Sequence, residues 1–280
     1  MRFLPCICVA ALLGAASPAL AQSGMPVALT DAEKSAIENQ WADAIAESQR
    51  VGRAVFESDR AAQAAAASEA AQGTPDPRIG GWIAEPDGDG FRVLGIGDAG
   101  GSPRLLAELR VQDGQAVDGS FSAYPDGRPL KRDEEAAYRA RQTAASADFD
   151  KCGDDYKAVV LDDLKEGFDV FMLLPMDDRD QVRIGGNAMV HVDKSGRKVL
   201  GVQSFSRSCL VLGSPSMPGA PRPFSVTGSD VLAEVPTALH VFLSLQHELP
   251  LFILTAKNQL FWRVDGDRIE PEQKYPPSAR

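Results

Sequence analysis

The chain has 280 residues and a formal charge of −10, with 44% hydrophobic and 24% charged residues. That length can bury a full core, in one large domain or two small ones. The acidic balance argues against nucleic acid as a partner, because phosphate binding needs clustered Lys and Arg.

Residues 1–21 follow the order of a cleavable signal peptide. Arg2 supplies the positive start, Phe3 to Ala15 an apolar stretch, and Ser17-Pro18-Ala19-Leu20-Ala21 a small-residue cleavage region with the cut expected after Ala21. An apolar stretch of about 13 residues falls short of the roughly 20 that a membrane-spanning helix needs. Gln22 stands where a lipid anchor would need Cys. The expected product is free of any membrane span, resides in the periplasm or outside the cell, and carries a charge near −11 once Arg2 is gone. Cys6 and Cys8 leave with the leader, so Cys152 and Cys209 remain as a pair in an oxidising compartment, where a disulfide is predicted. Closing a loop of about 58 residues is worth roughly 4 kcal/mol at most on the chain-entropy account.

Residues 22–75 read as a long N-terminal helix with an Ala-rich linker. Thr30-Asp31-Ala32-Glu33 has the spacing of a capping box, which starts the helix. Ile37, Trp41, Ala44, Ser48, Val51 and Val55 then recur at helical steps, and the apolar face fades after Phe56. The run from Ala61 to Ala71 has high helix propensity but little to bury, and Gly73 and Pro75 end it. Packing of a bent helix on the body is the expected arrangement. Self-association through residues 31–71 is the alternative.

Residues 76–270 read as an α+β body. A small meander over 79–124 has strands at Trp82 to Glu85, Phe91 to Ile96, Arg104 to Val111 and around Ser120 to Tyr124. The third strand alternates Leu105, Ala107, Leu109 and Val111 against Glu108 and Arg110, which predicts one wet face. A helix over 133–149 follows; its basic neighbours Arg128, Lys131 and Arg132 read as a solvated helix start. A larger antiparallel sheet is expected over 156–264, with strands at Tyr156 to Leu161, Phe168 to Leu174, Ala188 to Asp193, Arg197 to Ser206, Ser208 to Leu212, Leu239 to Leu245, Leu251 to Thr255 and Gln259 to Val264. Pro215 to Pro223 reads as a surface loop and 271–280 as a tail. The fold class is therefore α+β, a long N-terminal helix with mostly antiparallel sheets built from meanders.

Candidate chemistry is confined to three histidines, His191, His240 and His247. On a strand from Leu239 to Leu245, His240 and Ser244 stand about 13 Å apart at roughly 3.3 Å per residue, which excludes a Ser/His dyad. An odd separation puts His240 and His247 on opposite strand faces, against a shared metal, unless the strand ends before His247, as Glu248 and Pro250 suggest. His191 shares a face with Met189 and Asp193, and Asp193 is the carboxylate expected to act on it. Ser204, in Gly201-Val202-Gln203-Ser204-Phe205, lacks the second glycine of a nucleophile elbow. Asp87-Gly88-Asp89-Gly90 and Asp265-Gly266-Asp267 read as hairpin turns rather than calcium loops. Gly95-Ile96-Gly97 leads to a strand rather than a helix, so it is no dinucleotide loop. No cofactor and no metal site are expected. The reading that follows is a non-catalytic binding or interaction protein with a protein or small-molecule ligand. The alternative is a hydrolase, metal-assisted or not, built on His191, His240 and His247.

Overall fold

The computed structural model describes residues 25–73, 75–163, 166–175, 181–206, 208–209, 211–213, 224–226 and 233–275. The leader read over residues 1–21, the loop Pro215 to Pro223 and the closing Pro276-Pro277-Ser278 lie outside the described residues. The chain runs through β1 (Val27–Ala28), α1 (Asp31–Gln40), α2 (Ala42–Ala71), β2 (Ile79–Asp87), β3 (Gly90–Asp98), β4 (Pro103–Gln112), β5 (Gln115–Ala116) and β6 (Ser122–Pro129). It continues through α3 (Arg132–Ala145), β7 (Lys157–Asp163), β8 (Gly167–Leu173), β9 (Gln181–Arg183), β10 (Ala188–Asp193), β11 (Val199–Ser204) and β12 (Val211–Gly213). The last elements are β13 (Phe224–Val226), α4 (Ala238–His247), β14 (Leu251–Thr255), β15 (Leu260–Asp265) and β16 (Arg268–Lys274). This is an α+β protein, and none of its described helices is long and apolar enough to cross a membrane.

The capping box forms as the sequence implies: Glu33 N–H donates to Thr30 Oγ1 and Thr30 N–H to Glu33 Oε2. The helix it starts bends at Trp41, whose ring packs on the central core, and continues as α2. The Ala-rich end does not fray into a linker. It stays helical to Ala71, with Ala61 and Ala65 buried against Ala84, Val93, Leu109 and Val111 of the first sheet. Small side chains bury little area each, but they let a helix lie close on a sheet. At the other end of α2, Gly52 serves the same purpose, since a Cβ there would stand 2.6 Å from the Ala238 carbonyl oxygen of α4.

The first sheet has the order β2-β3-β4-β5 with β6 also on β4, and both of its faces are covered. Leu106 is an extra residue opposite the Gly95–Ile96 step, so Leu105 turns to the face of Leu94 and Ile96, away from Leu109 and Val111. The predicted wet face is corrected accordingly. Glu108 joins a part-buried cluster in which Arg92 bridges Glu108 and Glu134 at 2.7 and 2.8 Å and Arg128 holds Glu134 at 2.9 Å, while Arg110 stays exposed beside Asp89. Glu134 is 2% exposed and also accepts the Lys131 N–H, which fastens the start of α3 to the sheet. Burial alone would raise its pKa, but Arg128, the Lys131 amide and Arg92 outweigh it and hold the carboxyl at about 2. Arg128, read from sequence as a solvated helix start, is thus spent on an internal carboxylate.

The sequence places one large sheet over 156–264, where the described strands fall into three, one of them only the pair β12-β9. The second sheet, β11-β10-β8-β7, is buried on both faces at β8, with Phe168, Val170 and Met172 on the α3 side and Phe171 and Leu173 on the other, while β11 is mostly exposed. The third, β1-β16-β15-β14-β13, closes the central core with Ile253, Trp262 and Val264. β16 reaches Lys274 and pairs with β1, so the stretch read as a tail begins as a strand. Leu239 to Leu245 is not a strand but most of α4. Residues Leu239 to Ser244 are all buried, and a helix buried all round shows no 3.6-residue stripe to distinguish it from a strand. α4 also supplies the crossover that the parallel pair β13 and β14 requires.

Cys152 and Cys209 form a disulfide with Cα atoms 5.5 Å apart. It ties the segment after α3 to the start of β12, and the Tyr156 hydroxyl braces it by accepting from Cys152 N–H and donating to the Gly186 carbonyl. Replacing both cysteines by serine is expected to lower unfolding stability by about 2–4 kcal/mol, measured by urea denaturation without reductant. An unchanged midpoint would show that the loop needs no closure.

Candidate functional site

A cleft of ≈ 230 Å³ opens where α2, β2, α3 and β7 meet. Its chemistry comes from Asp59, Arg141 and Lys157, with Ser58, Gln63 and Trp82 beside them. Asp59 falls one helical turn after Val55, on the apolar stripe of α2, and is 1% exposed. Its Oδ2 accepts from Lys157 Nζ at 2.6 Å and from Gln63 Nε2 at 2.7 Å. Oδ1 is buried and has no hydrogen-bond partner among the described residues. A buried acceptor left unsatisfied costs about 1–3 kcal/mol, more when it is charged.

Arg141 comes from α3. A bulge at Gly80 breaks the register between β2 and β3 and frees the Gly80 carbonyl, which accepts from Arg141 Nη2 at 2.5 Å. Gly81, at φ 149°, makes room for the guanidinium, since a Cβ there would stand 2.3 Å from Nη2. No carboxylate among the described residues pairs with Arg141, and burial pushes its pKa below the ordinary value. Two cations face one carboxylate, so the cleft is positive within an acidic chain. A buried acceptor and an unpaired guanidinium in one small cleft can hold a ligand that offers both a donor and an anion.

The structure does not gather the predicted histidines into this cleft. His191 Nδ1 lies 2.7 Å from Asp169 Oδ1, its cross-strand neighbour on β8, and Nε2 lies 3.7 Å from exposed Glu166. Asp193, the partner expected from sequence, instead binds its own hairpin. The Lys198 amide, the Ser195 hydroxyl and the Arg197 amide hold its carboxyl at about 2. No serine, threonine or cysteine hydrogen-bonds the His191 ring among the described residues.

His240 and His247 lie on α4, not on a strand, so seven residues bring them to one face, about 10.5 Å apart along the axis. One metal ion cannot join two ligands at that distance. No group of three or more metal-ligating side chains occurs among the described residues. His240 and Ser244 are one helical turn apart rather than 13 Å, yet they serve separate ends of α4. Ser244 Oγ lies 2.7 Å from the Leu249 carbonyl and accepts from Gly266 N–H. His240 is fully buried, its Nδ1 accepts from Thr237 N–H at 3.0 Å to cap the helix, and its Nε2 has no hydrogen-bond partner among the described residues.

Sequence reasoning missed Asp59, Arg141 and Lys157. A signal was present for Asp59: extending the stripe of Val51 and Val55 by one turn puts a carboxylate on a buried face.

Burial holds the His240 pKa down at about 4, against an ordinary value of 6.5, so the unfolded chain takes up this proton first as pH falls. Its contribution is undiminished above about pH 6.5 and is lost progressively down to about pH 4, for roughly 3 kcal/mol in all. His247 is shifted in the same direction by partial burial. His240→Asn retains an acceptor for the Thr237 cap but does not titrate. Denaturation midpoints between pH 4 and 7 are therefore expected to fall less steeply in this variant than in the parent; parallel slopes would mean that His240 does not carry the effect. The chain matches no family model, no curated protein and no solved structure, so the roles of Asp59, Arg141 and Lys157 rest on their geometry.

Proposed function

We propose that this protein is an exported, non-catalytic binding protein whose ligand is a small anionic molecule held in the cleft between α2, β2, α3 and β7. The observation that carries this reading is the pairing, in one cleft, of a buried carboxylate oxygen without a partner and a guanidinium without an acid. Proteins satisfy nearly all buried polar groups, so an unsatisfied one that lines a cleft calls for a partner such as water, an ion or a ligand. The cleft is small beside the ~300–1,000 Å³ pockets that take drug-sized ligands, which favours a compact ligand. Export is supported by the leader order of residues 1–21 and by the Cys152–Cys209 bond, which suits an oxidising compartment. A non-catalytic role is favoured over a hydrolase because His191 is flanked by carboxylates and His240 is used as a helix cap.

Thermal unfolding of the oxidised protein against a panel of small anionic and neutral metabolite-like compounds tests the reading. A true ligand at 100 times its Kd stabilises by about 2.7 kcal/mol. Ala66 is exposed and lines the cleft, so Ala66→Trp is expected to abolish that shift with little change in unliganded stability. No stabilising compound in the panel, or a shift that survives Ala66→Trp, contradicts a ligand site here.

A further inference from the structure

The cleft holds enough chemistry to define its ligand more narrowly. Arg141 and Lys157 carry two positive charges and Asp59 one negative charge, which leaves a single positive charge for the ligand to balance. Lys157 and Gln63 both donate to Asp59 Oδ2, so that oxygen is committed, and only Oδ1 remains to accept. A ligand group facing Oδ1 must therefore carry a hydrogen. A deprotonated oxyanion without one, such as sulfate, would set lone pairs against a buried carboxylate. Arg141, held in place by the Gly80 carbonyl and the open space at Gly81, keeps guanidinium N–H groups for an anion, and a carboxylate matches that fork. The remaining wall, Trp82 with Ala62 and Val159, is apolar.

Resting on the reading of this cleft as a ligand site, we propose that its ligand is a monocarboxylate bearing a neutral hydroxyl next to the carboxylate and an apolar side chain. It is a 2-hydroxy acid, whose carboxylate meets Arg141, whose hydroxyl donates to Asp59 Oδ1, and whose side chain lies against Trp82. A monoanion balances the cleft's net charge. An α-amino acid of the same skeleton is neutral overall and leaves one positive charge uncompensated, and the parent carboxylic acid without the hydroxyl leaves Oδ1 unsatisfied. A site built to accept from a hydroxyl discriminates against the analogue lacking it, because the buried acceptor is then stranded.

Three compounds with one carbon skeleton separate these cases by calorimetric titration of the oxidised protein: 2-hydroxy-4-methylpentanoate, 4-methylpentanoate and leucine. The hydroxy acid is expected to bind at least about 5-fold more tightly than 4-methylpentanoate, the low end of what stranding a buried acceptor costs. It is also expected to bind more tightly than leucine. Arg141→Gln should remove binding of the hydroxy acid. Asp59→Leu is close in shape and offers no polar atom where Oδ1 stood; it should erase the preference for the hydroxyl. Far-ultraviolet circular dichroism and the unliganded melting temperature report whether each variant is folded, and should Asp59→Leu not fold, the ligand series in the parent protein still decides the matter. Equal affinity for 4-methylpentanoate, or tightest binding of leucine, overturns the proposal. If none of the three binds while another compound is displaced by Ala66→Trp, the ligand class is wrong and the cleft stands; if no compound of any class binds, the cleft reading itself has failed.

Discussion

A carboxylate buried on the apolar stripe of a helix must find its partners on other elements, and Asp59 imposes that constraint on this fold. α2 crosses two cores: Val55 packs in the one shared with α4 and the third sheet, while Ala61 and Ala65 pack against the first sheet. Asp59 sits at the seam between them, and Lys157, at the first position of β7, reaches it across 98 residues of sequence. Turning α2 by one residue, about 100°, would move Asp59 off Lys157 and displace Val55, Ala61 and Ala65 from their cores together. Buried ion pairs seldom add much net stability, because desolvation offsets the attraction; their best-attested use is to fix a register. Here the register they fix is that of α2 against the edge of the second sheet.

The same seam explains why a cleft exists at all. Alanine brings the second half of α2 down onto the first sheet, and Gly52 brings its first half against α4, so the helix is held at both ends by close approaches. Alongside the alanine contact lies the gap between the first and second sheets, lined by Trp82 from one and Val159 from the other. Arg141 fills part of it from α3, seated on a bulge. The polar groups are thus carried by regular elements rather than by loops, which favours a preformed site.

Local features were legible in the sequence. The Thr30 to Glu33 cap, the Asp87 to Gly90 turn and the alternation of Met189, His191 and Asp193 along β10 depend on neighbours a few residues apart, and each forms as read. The Cys152–Cys209 pairing was legible for a different reason, since setting aside Cys6 and Cys8, in the stretch read as a leader, leaves a single combination. What failed depends on tertiary context. α4 is apolar on every side and carries no stripe; Leu105 changes faces because of one extra residue; β16 holds two acids and a proline yet pairs on both edges. The histidines drew attention because imidazole is chemically versatile, but two are spent on a helix cap and a cross-strand hydrogen bond. The cleft was invisible because its three charged residues lie on three separate elements, and each alone reads as an ordinary surface charge.

The central claim is that Asp59 Oδ1 and Arg141 leave valences that a bound molecule completes. A crystal structure of the oxidised protein with a compound shown to stabilise it tests this most directly. The account predicts the compound in the cleft, with a donor within hydrogen-bond distance of Asp59 Oδ1 and an anionic oxygen on the Arg141 guanidinium. A compound bound elsewhere, with ordered water alone satisfying Asp59 Oδ1 and Arg141, would contradict it.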